Sequence, residues 1–242
     1  MTVEVCANSF ESAINAEKAG AHRIELFSEL AVGGITPSFG LIKKVVEKLS
    51  IPVFVLIRPR SGNFTYSEED FEIMKQDIQL CKDLGCAGIV SGVLNEDNTI
   101  DIDRTKELFQ LSYPLQFTFH RAFDWVPNPN EALEQLIKLK VNRVLTSGQK
   151  GSSQKGITLL TELKERAKNK IIILPGGGIN VNNAILFKDA GFSEIHLSAS
   201  KIEIVNKLPA VSMNSSKLFD ETIKTYSDIT IMKKIIDVIK AK

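Results

Sequence analysis

Residues able to move protons or hold anions sit in this chain at the ends of short apolar runs. The clearest case is Gln116-Phe117-Thr118-Phe119-His120-Arg121-Ala122-Phe123-Asp124, where an alternating pattern breaks into ionisable groups. The same change occurs where Val53-Phe54-Val55-Leu56-Ile57 meets Arg58-Pro59-Arg60, where Arg23-Ile24-Glu25-Leu26 meets Phe27-Ser28-Glu29, and where Ile195-His196-Leu197 meets Ser198-Ala199-Ser200. A histidine and a carboxylate delivered to one rim suit acid–base chemistry or the orientation of a substrate. An arginine beside them suits a negative group. Glu25, Arg58 and His120 are therefore the candidate catalytic residues.

Strands must bring these side chains together, because a strand delivers alternate residues to one face and a following loop completes a pocket. Short apolar strands alternate with longer amphipathic helices from one end of the chain to the other, with no linker between them. The pattern predicts strands near residues 3–6, 23–26, 53–57, 88–91, 116–120, 143–146, 171–174 and 194–197. Helix starts are marked by Asn8 with Glu11, by Ser67-Glu68-Glu69-Asp70, and by Asn128-Pro129-Asn130-Glu131, which offers a cap, a proline at the first helical position and a glutamate able to reach back. Glycines recur at the turns that follow helices, in Ala19-Gly20-Ala21, Leu84-Gly85-Cys86 and Ala190-Gly191-Phe192. Eight strand–helix units close most economically into an α/β fold of the single (β/α)8 TIM-barrel type, one domain over residues 1–242. An open doubly wound sheet shares the local pattern. The segment 201–228 fits neither element type, and a last helix is expected over 229–239.

Strand alternation sorts the polar residues. Glu4, Cys6, Glu25, Thr118, His120, His196 and Ser198 fall on the inward faces, with Arg58 entering from the end of the third strand. Charges withdrawn from water need partners, so Glu25 or Glu4 is expected within ion-pair reach of Arg58, either as a neutralised core or as part of a ligand site. After the seventh strand, Leu174-Pro175-Gly176-Gly177-Gly178-Ile179-Asn180 is expected to open a helix at Asn180. In such barrels the loops after strands seven and eight bind phosphate through backbone N–H groups and a helix N-terminus. Gly176, Gly177, Gly178 and Ser198 are thus the candidate anion-binding residues, with a tight turn as the alternative.

Composition sets the outer bounds. With 43% hydrophobic and 24% charged residues and a formal net charge of +1, the chain has ample apolar surface to bury and no basic field for nucleic acid or anionic membrane. Its apolar runs are too short to span a bilayer, and its first residues enter a strand pattern with no secretory signal, so a cytoplasmic location is expected. Three widely spaced cysteines make neither a disulfide framework nor a zinc ribbon.

The series Glu4-Val5-Cys6, Arg23-Ile24-Glu25-Leu26, Gly33-Gly34-Ile35-Thr36-Pro37-Ser38, Ile57-Arg58-Pro59-Arg60, Thr118-Phe119-His120-Arg121-Ala122-Phe123-Asp124, Leu145-Thr146-Ser147-Gly148 and Pro175-Gly176-Gly177-Gly178-Ile179 resembles the CutC copper homeostasis proteins, in collinear order over residues 3–200. The resemblance implies a TIM barrel, a cytoplasmic protein, homo-oligomerisation and a part in copper handling. It implies no defined reaction. Many members carry a second cysteine where this chain has Phe27, so Cys6 is left as the metal ligand for copper(I), with a histidine or Met213 to assist. Cys81 and Cys86 are expected to be packing or surface residues at the opposite end of the barrel. Two functions stay open: a copper-associated protein using Cys6, and a barrel enzyme or binding protein for a small anionic or phosphorylated molecule using Glu25, Arg58 and His120 with the glycine loop.

Overall fold

The computed structural model describes residues 1–204, 211, 213 and 220–240. Eight parallel strands form the sheet: β1 Thr2–Ala7, β2 Arg23–Leu26, β3 Val53–Leu56, β4 Gly88–Ser91, β5 Gln116–Phe119, β6 Arg143–Thr146, β7 Ile172–Pro175 and β8 Glu194–Leu197. From β1 to β7 each pairs with the next in sequence, and β1 also pairs with β8. The ring closes between β7 and β8 through a parallel bridge from Gly176 to His196. Helices α1 Phe10–Ala19, α2 Phe39–Val46, α3 Glu68–Asp83, α4 Ile102–Ser112, α5 Pro129–Lys138, α6 Ile157–Ala167, α7 Ala184–Asp189 and α8 Ile229–Lys240 follow the strands in turn. This is the (β/α)8 barrel that the alternation predicts, with strand positions matching to within a residue or two.

The caps show why the helices start where they do. Ser67 accepts from the Asp70 N–H and Asn128 from the Glu131 N–H, with Pro129 opening α5, as the sequence indicates. Two starts differ. Ser9, not Asn8, caps α1 by accepting from the Ser12 N–H. Asn8 instead accepts from the Ser12 hydroxyl and donates to the Thr225 carbonyl, tying α1 to the late segment. After the glycine triplet, α7 begins at Ala184, not Asn180, because residues 180–183 form a turn in which Asn183 Oδ1 takes the Asn180 N–H. The segment 201–228 includes an antiparallel hairpin of β9 Ser200–Ile204 and β10 Ile223–Ser227. Lys207-Leu208-Pro209 and Asn214-Ser215-Ser216 lie outside the described residues.

Two layers of packing hold the barrel. Outward strand residues such as Val3, Val5, Ile24, Val55, Ile89, Phe117 and Ile195 join the helices in one apolar core. Inside the ring, Cys6, Phe27, Phe54, Leu56 and Val90 form a second, smaller cluster. The lower end of the interior is ionic. Arg23 bonds to both Glu4 and Glu194, Arg143 lies 3.3 Å from Glu194 and donates to Gln116, and both guanidinium groups stand about 5 Å over the Phe54 ring. Gly88 makes room for that ring, since a Cβ there would stand 2.7 Å from it. Among the described residues no helix is long and apolar enough to cross a membrane.

Removing one member of such a lattice strands the others in a medium that solvates charge poorly. Arg23→Met should lower the unfolding free energy by about 3–5 kcal/mol, read from urea denaturation, because Glu4 and Glu194 both lose their main counter-charge.

Candidate functional site

At the C-terminal mouth of the barrel the strand ends enclose a cavity of about 740 Å³. Cys6, Glu25, Arg58, His120, His196 and Ser198 line it, joined by Phe64, Arg121, Asp124, Trp125, Gly177 and Gly178. Of the residues that strand alternation turns inward, Cys6, Glu25, His120, His196 and Ser198 line this pocket, and Glu4 and Thr118 do not. Gly176 stands behind it, bridged to His196, with no room for a Cβ beside Leu145.

Glu25 sits on β2 opposite Cys6 of β1, and His196 of β8 is opposite Glu4. His196 Nδ1 lies 2.7 Å from Glu4 and 3.5 Å from Glu25 Oε2, although the second contact is not a hydrogen bond. Burial opposes the charged form of His196, but the Cys6 sulfur, Glu4 and Glu25 outweigh it and hold the imidazolium well above the ordinary histidine range. Burial likewise raises Glu4, yet its bonds to His196 and Arg23 keep it well below the usual carboxylate range. Glu25 has no such bond. Burial first, and then the nearby Glu4 charge, push its pKa up to about 7 against the pull of His196 and Arg23.

Arg58 differs from expectation. It makes no ion pair with Glu4 or Glu25 among the described residues. Its guanidinium donates instead to the carbonyls of Val32, Gly34 and Gly62, clamping the loops that follow β2 and β3. Alternation places a residue on a face but does not reveal loop carbonyls within reach. Glu4 is paired with Arg23 and His196, and Glu25 with no arginine among the described residues. Arg23, Arg143 and Glu194 were missed by the sequence reading as inward residues, although alternation could have placed them there.

His120 ends β5 against the Phe64 ring, 4.8 Å away, while Arg58 stacks on the same ring. Gly92 leaves space for the imidazole, since a Cβ would stand 2.8 Å from it. Its Nδ1 accepts from the Ala122 N–H, so the ring proton resides on Nε2, which is buried and has no partner. Burial, with Arg58 nearby, lowers its pKa to about 3, and the ring stays neutral at ordinary pH.

The glycine loop leaves backbone donors without partners among the described residues. Gly177 and Gly178 take φ of 102° and 78°, a conformation that L side chains rarely adopt. Their carbonyls are tied away by Ser153, Asn180 and Asn183. The N–H groups of Gly177, Gly178 and Ile179 donate to no described residue. Arg121 reaches over from the loop after β5, fixed by Asp124 and Ser147, and its Nη1 lies beside Gly177. Sequence reading left Arg121 unassigned. Asp124, which also accepts from Thr146 and the Ser147 and Gln149 N–H groups, is the residue that aims it. Ser198 lines the same cavity with its hydroxyl 3.3 Å from that of Ser200.

The model of the CutC family matches residues 1–201. The chain belongs to the CutC family. A CutC family protein of Photorhabdus laumondii is 44% identical over 222 residues, covering 90% of this chain and 89% of that one. The human copper homeostasis protein cutC homolog is 44% identical over 239 residues, covering 96% and 87%. A crystal structure of a CutC protein from Streptococcus agalactiae superposes with a TM-score of 0.77 at 33% identity, covering 82% of this chain and 98% of that one.

Against the copper(I) that the family name suggests, the donor set at the mouth is poor. Cys6 is its one sulfur; the thiol packs with Phe27, Phe54 and Leu56 and donates to the Leu197 carbonyl at 3.4 Å. Met213 is 91% exposed and so is not packed against the buried Cys6. Glu4, Glu25 and His196 bring ligand atoms within 4.8 Å of one another, but these are hard oxygen and nitrogen donors, and Glu4 is already held by Arg23 and His196. Within the trio only Glu4 and His196 are hydrogen-bonded to each other. Cys81 and Cys86 are both buried in the outer core.

Two buried groups at the mouth couple folding to pH in opposite senses. His120 titrates near 3 when folded and near 6.5 when unfolded, so its contribution is complete above pH 6.5 and is lost as pH falls toward 3. Glu25 contributes fully below about 4.5 and loses that contribution as pH rises through 7. Urea midpoints of His120→Gln should therefore fall less steeply with acid than those of the native chain, whereas Glu25→Gln should flatten the profile between pH 4.5 and 7.

Proposed function

We propose that this CutC protein acts in copper homeostasis, the role for which its human and mouse relatives are named, by binding a small anionic or phosphorylated molecule at the barrel mouth. The observation that carries this reading is the pair of N–H groups at Gly177 and Gly178, which donate to no described residue, beside Arg121 Nη1, in residues that line the same cavity as Glu25 and His120. Successive free backbone donors in left-handed conformation favour an oxyanion, and a neighbouring guanidinium adds charge. In this reading Arg58 is a positioning residue that fixes the two loops over the pocket. The protein works in the cytoplasm, with neither nucleic acid nor membrane as partner.

Titration with inorganic phosphate, followed by backbone amide shifts, should move Gly177, Gly178 and Ile179 first. Gly177→Val should weaken binding by about tenfold or more, since a side chain at positive φ disturbs the cradle. Shifts confined to another surface would remove the assignment.

Direct copper(I) binding would fall to Cys6, and a single thiolate makes a weak site. In competition with a copper(I) chelator, Phe27→Cys should bind more tightly than the native chain, and Cys6→Ser should bind less. Tight native binding that survives Cys6→Ser would place copper elsewhere.

A further inference from the structure

Among the described residues, three buried side-chain atoms of residues that line the mouth have no hydrogen-bond partner: Glu25 Oε2, Arg58 Nε and His120 Nε2. Buried polar groups are nearly always satisfied, so unsatisfied atoms converging on one cavity point to a ligand that satisfies them. Their chemistry is complementary. Two are N–H donors held against the Phe64 ring, and the third is a carboxyl oxygen.

We propose that the mouth catalyses proton transfer at the carbon next to a carbonyl in a small phosphorylated compound, with Glu25 as the base and His120 as donor to the carbonyl oxygen. The proposal rests on the reading of the glycine loop as the anion site, which would hold the phosphate. The Glu25 carboxylate takes the proton as the C–H bond breaks. That electron pair forms a carbon–carbon double bond, and the carbonyl π pair moves onto oxygen. The developing enolate oxygen is met by His120 Nε2–H and Arg58 Nε–H. A neutral imidazole suits this task, because it stabilises the oxygen by a hydrogen bond without surrendering a proton in the resting state. Glu25 then returns a proton to the same carbon as the carbonyl re-forms, so that the step is an exchange at that position. Atoms and charge balance with no oxidant or second substrate.

Other carbonyl chemistry fits the lining less well. Among the described residues no lysine lines the cavity, so a Schiff base finds no amine there. The Cys6 thiol is turned to the Leu197 carbonyl within an apolar cluster. His196, 3.5 Å from Glu25 Oε2 and held by Glu4, is a positioning residue that sets the charge beside the base. The Glu25 pKa of about 7 agrees with a base that works near neutrality.

The test uses dihydroxyacetone phosphate and ribulose 5-phosphate as probes, incubated with the whole protein in deuterium oxide and followed by proton NMR. Loss of the C–H signal beside the carbonyl of either probe is expected, at a rate that rises with pH through about 7. Glu25→Gln should slow it by about 100-fold or more, and His120→Gln by roughly 100-fold, with inorganic phosphate still shifting the Gly177 and Gly178 amides in both variants. That phosphate response also shows that the variants are folded. Exchange that persists unchanged in Glu25→Gln overturns the proposal. So does phosphate binding at the loop with no exchange in either probe, a result that leaves the anion site standing. Phosphate that fails to shift the loop removes the anion site itself, and the proposal with it.

Discussion

Arg23 is the residue on which the inside of this barrel depends. A guanidinium buried at the start of β2 holds Glu4 on one side and Glu194 on the other, and Glu194 in turn stands against Arg143. Isolated charges could not occupy such a place; linked, they neutralise one another, although Arg143 keeps Nε and Nη1 without a hydrogen bond. The lattice also reaches the mouth. By holding Glu4 ionised, Arg23 gives His196 a fixed anion to lean on, and the protonated His196 then faces Glu25. Glu25 is left as the member near its titration point because every stronger partner is already engaged.

The strands and most caps were legible because they follow local rules. Alternation over Arg23-Ile24-Glu25-Leu26 or Gln116 to His120 needs no knowledge of the rest of the chain, and neither does Asn128-Pro129 opening a helix. The same rule brought Glu25, His120, His196 and Ser198 to one cavity. It did not give the partners of Arg58, because a long side chain at a strand end has several directions open to it, and loop carbonyls leave no mark in the sequence. The start of α7 moved for a similar reason: Asn183 competes for the Asn180 N–H and delays the helix. The state of Glu25 was illegible throughout, since it follows from burial and from which neighbours are already paired.

Phe27 shows how one position changes the chemistry that a shared barrel can host. The ring packs against Cys6 and turns the inner wall there apolar, with Leu56 and Val90 continuing the surface. On the facing side stand Arg121, the bare glycine backbone and His120. A molecule with one apolar edge and one anionic end would find both surfaces in a single cavity, whereas a soft metal would find one sulfur.

The bridge between Gly176 and His196 joins the seam of the ring to the pocket itself. Elsewhere around the barrel adjacent strands share a register of paired residues, but here the join comes down to a parallel bridge beside the glycine cradle. Gly176 therefore serves two ends at once: a side chain there would press on Leu145 and on His196, and would disturb the closure of the ring and the wall of the cavity together.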